Sequence, residues 1–133
     1  MSLTKITLRG LARSLPIVFA FHVFEESIGF IQWFNARVEP DISWRTFITV
    51  TSVAFVITVL VAAQLSVSRS RSIGIAAAAW VGFLMLANGI LHIAASIMDG
   101  GYVPGLGTAV FLYLPVSLAL VASIASECAM SWT

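Results

Sequence analysis

A histidine and two adjacent glutamates, His22, Glu25 and Glu26, lie inside a stretch of sequence that is otherwise hydrophobic. A helix advances about 100° per residue, so Glu25 and Glu26 fall within roughly 60° of His22, one on each side. All three side chains can therefore point into one interior. Ionisable groups are costly at membrane depth and usually mark a functional site there. The motif predicts a buried polar centre.

Asn88 and His92 form a second polar pair in another hydrophobic stretch. Because they are four residues apart, they share one face of a helix. The position of Asn88 and His92 within their hydrophobic stretch gives them a depth in the membrane similar to that of Glu25 and Glu26. We therefore expect the two polar clusters to meet. A simpler interpretation of His92, a buried histidine bonded to a neighbouring helix, stays open.

These residue types suit a small number of chemistries. His22, Glu26 and His92 match the ligands of a catalytic zinc site with an open position, the remaining glutamate acting as general base. They also match a non-haem iron centre with two histidines and one carboxylate. Without metal, one glutamate would act as general acid and the other as base, and Asn88 would stabilise a developing negative charge. The predicted catalytic residues are Glu25, Glu26 and Asn88.

The composition is that of an integral membrane protein. Of the 133 residues, 59% are hydrophobic and only 10% are charged, against about 25% charged in a typical soluble domain. The mean hydropathy is +1.00. We expect a single transmembrane domain over residues 1–133 with the lipid bilayer as its surroundings. The net charge of +1 excludes the basic surface expected of a nucleic-acid-binding protein.

Four hydrophobic stretches are each long enough for a helix of the ~20 residues that cross a bilayer. Ser14 and Pro16 favour a helix start in the first stretch, Ser43 suits the N-cap of the second, and Pro115 should bend the fourth. The connections are short, which favours antiparallel neighbours. The predicted fold is an all-α, four-helix transmembrane bundle with up-down-up-down topology. The predicted spans are 11–36, 44–66, 73–98 and 108–130.

Basic residues near the ends of the spans predict the orientation, because cytoplasmic loops carry an excess of lysine and arginine. Five of them fall on one side of the membrane: Lys5, Arg9, Arg13, Arg69 and Arg71. Only Arg37 and Arg45 fall on the other side. We therefore expect both termini to be cytoplasmic.

Three spaced elements together resemble a known family. They are His22-x-x-Glu25-Glu26, Asn88-x-x-x-His92, and Tyr102-Val103-Pro104-Gly105 followed by Thr108 and an apolar span with Pro115. This order resembles the HXXEE domain family of small multi-pass bacterial membrane proteins, over about residues 16–115. The resemblance implies a polar site shared by the first and third helices, a membrane enzyme, and a place in a bacterial inner membrane. It assigns no substrate.

Three classes of function fit the sequence. The first is a membrane enzyme that acts on an amphipathic or lipid-like, hydrophobic small-molecule substrate, with zinc or non-haem iron or by metal-free acid–base catalysis. The second is a non-catalytic subunit, either structural or cofactor-binding, of a larger membrane complex. The third is a small proton-coupled transporter, because four spans and a membrane-embedded glutamate are typical of the small multidrug resistance type. A homo-oligomer is compatible with each.

Overall fold

The computed structural model describes residues 8–67 and 70–130, and all regular elements in these ranges are helices. This confirms the all-α class. Three elements come first, α1 (Leu8–Ser27), α2 (Phe30–Asn35) and α3 (Trp44–Val67). Next, α4 (Arg71–Val81) continues through a π-helical turn (Gly82–Ala87) into α5 (Asn88–Asp99). Last, α6 (Leu106–Thr108) continues through a π-helical turn (Ala109–Tyr113) into α7 (Leu114–Met130). We call these two continuous rods the α4–α5 helix and the α6–α7 helix.

Three helices within the described ranges are long and apolar enough to cross a membrane: Trp44–Val67, Ser72–Asp99 and Leu106–Ser126. They correspond to the second, third and fourth predicted spans. Helix α1 has 20 residues, but four of them are charged, two arginines near its start and the two glutamates near its end. These charges lower its hydropathy. Its crossing of the membrane therefore stays a prediction.

The first predicted span differs from the observed helix at both ends. The structure has α1 already formed at Leu8, so Pro16 lies inside the helix instead of marking its start. An interior proline removes one backbone hydrogen bond, and a transmembrane helix can tolerate that loss. The predicted helix to residue 36 is also interrupted, because α1 ends at Ser27 and α2 begins at Phe30. Gly29 lies at the break, and a Cβ there would lie 3.4 Å from Pro104 Cγ, so a loop packs closely against the turn.

The helices enclose one apolar core and expose apolar outer faces. Helix α1 packs chiefly along α3 and also contacts the α6–α7 helix. The core consists of Leu11, Ala12, Leu15, Val18, Phe19, Ala62, Leu65, Ala77, Val81, Met85, Tyr113, Leu120 and Ile124. Large apolar side chains on the outside include Phe24, Val53, Phe83 and Phe111. Extensive exposed apolar surface is expected where helices contact lipid.

Polar contacts fix α2 against its neighbours. Trp33 Nε1 donates to Asp99 Oδ2 over 2.6 Å, and Arg37 Nε donates to Asp99 Oδ1 over 3.0 Å. Asn35 and Ile42 exchange two hydrogen bonds of 2.9 Å between side chain and backbone. These contacts hold α2 at the end of α5, beside the loop that follows Asp99.

The predicted N-cap is present, and a π-helical turn lies beside Pro115, whose predicted bend of the fourth span stays a prediction. Thr46 N donates to Ser43 Oγ over 3.1 Å, which confirms Ser43 as the N-cap of α3. The π-helical turn Ala109–Tyr113 ends two residues before Pro115, whose ring nitrogen has no hydrogen to donate. The other π-helical turn ends directly before Asn88. Such turns are frequent at functional sites, and here each adjoins a polar residue of the interior.

Candidate functional site

His22, Glu26 and His92 meet in the interior, which confirms the expectation that the two polar clusters come together. Glu26 Oε1 lies 3.3 Å from His22 Nε2 and 3.1 Å from His92 Nε2. One possible ligand atom of each residue lies within 4.8 Å of the other two. The three residues are only 1%, 6% and 5% exposed, in chain order. We call them the His–Glu–His cluster.

Glu25 points to a different partner from Glu26. Its carboxylate accepts hydrogen bonds from the backbone N–H groups of Gly107 (3.0 Å) and Thr108 (2.7 Å). It also accepts from the hydroxyl groups of Thr108 and Tyr102. Four donors thus converge on its two oxygens, and they tie α1 to the first turn of α6. Through these hydrogen bonds Glu25 holds α6 against α1. Its predicted catalytic role stays a prediction.

Thr108 links Glu25 to the His–Glu–His cluster. Its Oγ1 lies 2.8 Å from His22 Nδ1 and donates its single proton to the Glu25 carboxylate. Since an ionised carboxylate only accepts, the threonine hydroxyl must in turn accept the bond from His22 Nδ1–H. The network therefore assigns the proton of a neutral His22 ring to Nδ1. Its Nε2 lone pair then faces Glu26.

The region between His22 and Glu26 fits a metal ion. His22 Nε2 is buried without a hydrogen bond, although Glu26 Oε1 is only 3.3 Å away, because in this tautomer neither Nε2 nor the carboxylate has a proton to donate. A bare nitrogen facing a buried carboxylate is favourable once a cation lies between them. Ligands about 2.0–2.2 Å from zinc at a tetrahedral angle lie roughly 3.3–3.5 Å apart, close to the two Glu26 distances. The donor set of two imidazoles and one carboxylate suits zinc or ferrous iron.

Two further polar groups near the cluster have no protein partner. The hydroxyl of Tyr113 and Oδ1 of Asn88 are both buried without a hydrogen bond. The Tyr113 ring stacks on the His22 ring, with centroids 4.0 Å apart. Buried unpaired polar atoms are rare in proteins, and these two atoms both belong to residues near the His–Glu–His cluster. Asn88 was predicted from sequence, whereas Tyr113 was not, because a lone tyrosine in an apolar span carries no spacing signal.

A cavity of about 290 Å³ adjoins the His–Glu–His cluster. Its walls come from α1, α2, α3, the α4–α5 helix and the second π-helical turn. The lining residues are Phe19, His22, Val23, Glu26, Phe30, Ile42, Thr46, Phe47, Val50, Thr51, Ala54, Leu84, Asn88 and Tyr113. Most of this wall is apolar, and the polar groups of the cluster form one part of it. The cavity can therefore receive an amphipathic molecule.

The segment 102–108, which we call the site loop, covers His92. Gly105 has φ +97°, in the region that favours glycine, and a Cβ there would lie 2.5 Å from His92 Cε1. The tight turn predicted at Pro104-Gly105 is thus present, and glycine lets its backbone approach the imidazole ring. The sequence suggested two roles for Tyr102, a cover for the site or an interfacial anchor. The structure shows its hydroxyl bonded to Glu25 while the residue as a whole is 64% exposed.

The ionisation of Tyr102 reports on this contact. Partial burial, followed by the hydrogen bond to Glu25 and the charge of that carboxylate, raises the pKa of Tyr102 to about 12 from 10.0. We expect ultraviolet absorbance titration of a Tyr113→Phe background, which leaves one tyrosine, to give a midpoint near 12. Adding Glu25→Gln should move the midpoint part of the way back towards 10.0, because the charge of the carboxylate is lost while burial, which raises the pKa, and the backbone hydrogen bond with Gly105, which lowers it, remain. Equal midpoints in the two proteins would show that Tyr102 does not contact Glu25.

A protein-family model described as a protein of unknown function with HXXEE motif matches residues 14–120, most of the chain. The chain belongs to the HXXEE family. The match includes all of the site described above. In this chain the HXXEE motif is His22 to Glu26, and its two glutamates have different contacts, the second with both histidines and the first with α6. No curated protein and no solved structure matches the chain.

Proposed function

We propose that this chain is an integral membrane enzyme whose His–Glu–His cluster binds one divalent metal ion, zinc or ferrous iron, and acts on an amphipathic or lipid-like substrate. One observation carries the proposal. A single buried carboxylate oxygen, Glu26 Oε1, faces the Nε2 atoms of two histidines from different helices, and one of these nitrogens has no hydrogen bond. Three ligands with an open position are typical of catalytic metal sites.

The residues around the metal ligands have distinct roles in this proposal. A bound metal would supply Lewis acidity toward a polarised bond of the substrate. Thr108 holds His22 in the tautomer whose Nε2 is free to ligate, and Glu25 orients Thr108. Such outer partners of a ligating histidine fix its ring and tautomer. Asn88 and Tyr113 bind and orient the polar group of the substrate. In this proposal Glu25 is a positioning residue, and the catalytic role expected from sequence stays an untested prediction.

The same proposal includes a four-helix, up-down-up-down bundle in a bacterial inner membrane, with both termini cytoplasmic. The packing of α1 along α3 and against the α6–α7 helix supports α1 as the fourth member. The short connections support antiparallel neighbours. Of the basic residues that predict the orientation, Lys5 and Arg69 lie outside the described residues. Fusions of a periplasm-sensitive reporter to each terminus test this orientation.

Enzyme activity can be tested before the substrate is known. We expect the purified wild-type protein, loaded with zinc or iron and incubated with bacterial lipid extract, to deplete one lipid species and form another. Glu26→Gln should remove this change, because it removes the ligand shared by the two histidines. Untargeted lipid mass spectrometry measures the depleted and the newly formed lipid in the wild-type and variant samples. Glu39→Gln, in the exposed loop before α3, is the matched control.

The alternative functions give different results in the same preparation. A metal-loaded, folded wild type that changes no lipid would contradict the enzyme proposal. Visible absorbance and stable copurification of partner chains would instead support the cofactor-binding subunit. Counterflow of a cationic substrate against protons in liposomes would support the transporter.

Thr108 provides a further prediction. Thr108→Val keeps the shape of the side chain but removes the hydroxyl between His22 and Glu25. We expect its metal affinity to fall about 10–100-fold, as for other outer-shell changes at metal sites. Thr108→Ser should restore most of the affinity because it restores the hydroxyl. Competition with a chromogenic chelator measures these affinities, and equal values for the valine and serine variants would contradict the assigned role.

A further inference from the structure

We infer that the cavity beside the His–Glu–His cluster binds the hydrocarbon chain of a single-chain lipid, which enters from the membrane beside the exposed α3 residues Thr46 and Val50. This inference rests on the proposed function, because it concerns the substrate of the same site. It specifies the number of chains, the route of entry and the position of the polar group.

The cavity is elongated along the helices. Its lining on α3 extends from Thr46 to Ala54, a rise of about 12 Å at 1.5 Å per residue. Its lining on α1 extends from Phe19 to Glu26, about 10 Å. Phe19 packs against Phe55 of α3, with ring centroids 6.0 Å apart, so the Phe19 end lies deeper along both helices. An elongated apolar space of this kind suits a hydrocarbon chain.

Its size favours one chain. The volume of about 290 Å³ lies at the lower end of the range of about 300–1,000 Å³ found for small-molecule pockets. The two chains of a diacyl lipid would need a larger space. The deep walls, Phe19, Ala54 and Leu84, offer apolar contacts only. A single chain can therefore lie against these deep walls while its polar group lies at the polar wall of the same cavity.

The opening of the cavity faces lipid. Two of its lining residues on α3, Thr46 and Val50, are themselves exposed, and Val50 is 61% exposed. Both belong to the first two turns of a helix that is long and apolar enough to cross a membrane. Val53, on the next turn of α3, is also exposed and apolar. A lipid beside this part of α3 can therefore reach the opening from the membrane.

The polar wall of the cavity defines the other part of the ligand. The hydroxyl of Tyr113, a residue with 0% exposure, has no protein partner, and neither has Oδ1 of Asn88. A carbonyl oxygen on the ligand can accept from the tyrosine, and a hydroxyl or amide N–H can donate to the asparagine. Each bond would satisfy a group whose burial alone is unfavourable. The ligand is thus a single-chain lipid with a carbonyl and a donor group beside the metal ligands.

The test is photo-crosslinking of the full chain in liposomes. The probe is a decanoyl ethanolamide with a diazirine in the middle of its chain, and the comparison probe is a phosphatidylglycerol with the same diazirine chain. We expect the first probe to label the cavity wall on α1 and α3, mapped by peptide mass spectrometry, and the two-chain probe to label only outward faces such as Val53. Ala54→Phe should lower cavity labelling by at least about fivefold, because the ring fills the space of the chain. Ala63→Phe, the same change at an exposed position of α3, should leave it unchanged.

The outcomes separate this inference from the proposed function. Labelling that is spread evenly over the outward faces, or equal cavity labelling by the two-chain probe, would overturn the inference. The wild-type map decides this even if Ala54→Phe fails to fold. Each sample is also measured for bound zinc and iron. Cavity labelling without bound metal would contradict the metal centre alone, whereas bound metal without cavity labelling would contradict the lipid site alone.

Discussion

Replacing Glu26 with glutamine is expected to lower the affinity of the protein for zinc or ferrous iron by at least about 100-fold. This loss is larger than the roughly 10–100-fold that usually follows when a residue hydrogen-bonded to a metal ligand is replaced. Glu26 Oε1 lies 3.3 Å from His22 Nε2 and 3.1 Å from His92 Nε2. This one oxygen is therefore the proposed ligand next to both histidine ligands. The amide of glutamine is neutral and binds these metals weakly. Its size matches that of glutamate, and its groups can still hydrogen-bond to the histidines, so the helical fold should persist.

Chelator competition on detergent-purified protein measures the affinity, and circular dichroism during heating measures the fold. Glu39→Gln is again the control, since it makes the same chemical change far from the cluster in the sequence. An affinity that is unchanged in Glu26→Gln would show that Glu26 is not a ligand. A marked loss of helical structure in Glu26→Gln and in His92→Ala would show that the cluster mainly locks the helices together.

Gly105→Ala is expected to disturb both the site loop and His92. The added Cβ would lie 2.5 Å from His92 Cε1 and 2.9 Å from His92 Nε2, closer than van der Waals contact allows. The residue also has φ +97°, which costs a non-glycine residue about 1–2 kcal/mol. We expect a loss of unfolding free energy greater than this backbone cost, and a weaker metal affinity because the ring must move. Thermal unfolding and chelator competition measure the two effects.

Two other glycines serve as controls for this variant. Gly100 has φ +68° but open space around its Cβ position, so Gly100→Ala isolates the backbone cost. Gly101 also has open space and no positive φ, so Gly101→Ala should change little. If Gly105→Ala is no more destabilising than Gly100→Ala and binds metal normally, the loop backbone does not press against His92.

The helices were predictable where their sequence signals are local. The apolar stretches gave the three long helices to within a few residues, and Ser43 correctly marked the start of α3. The break between Ser27 and Phe30 was missed, and Pro104, from a distant part of the chain, lies close to Gly29 at this break. The two π-helical turns were also missed, since the sequence carries no periodic signal for a single wider turn.

The site was partly predictable for the same reason. Helical spacing placed His22 and Glu26 on one face, and their depth relative to His92 anticipated the contact between them. Spacing could not separate the two glutamates, because Glu25 and Glu26 lie on either side of His22. Their different contacts arise from the α6 backbone, which offers two N–H groups to Glu25. The unpaired hydroxyl of Tyr113 likewise depends on tertiary packing.

The metal content of the detergent-purified protein, measured by elemental mass spectrometry, tests the central claim most directly. Wild type is compared with the double variant His22→Ala, His92→Ala, after both are loaded with zinc or ferrous iron and freed of excess ion. We expect about one metal ion per chain in wild type and a loss of nearly all of it in the double variant, since both imidazoles are ligands. Wild type that binds no metal, or a folded double variant that binds as much as wild type, would contradict the metal centre.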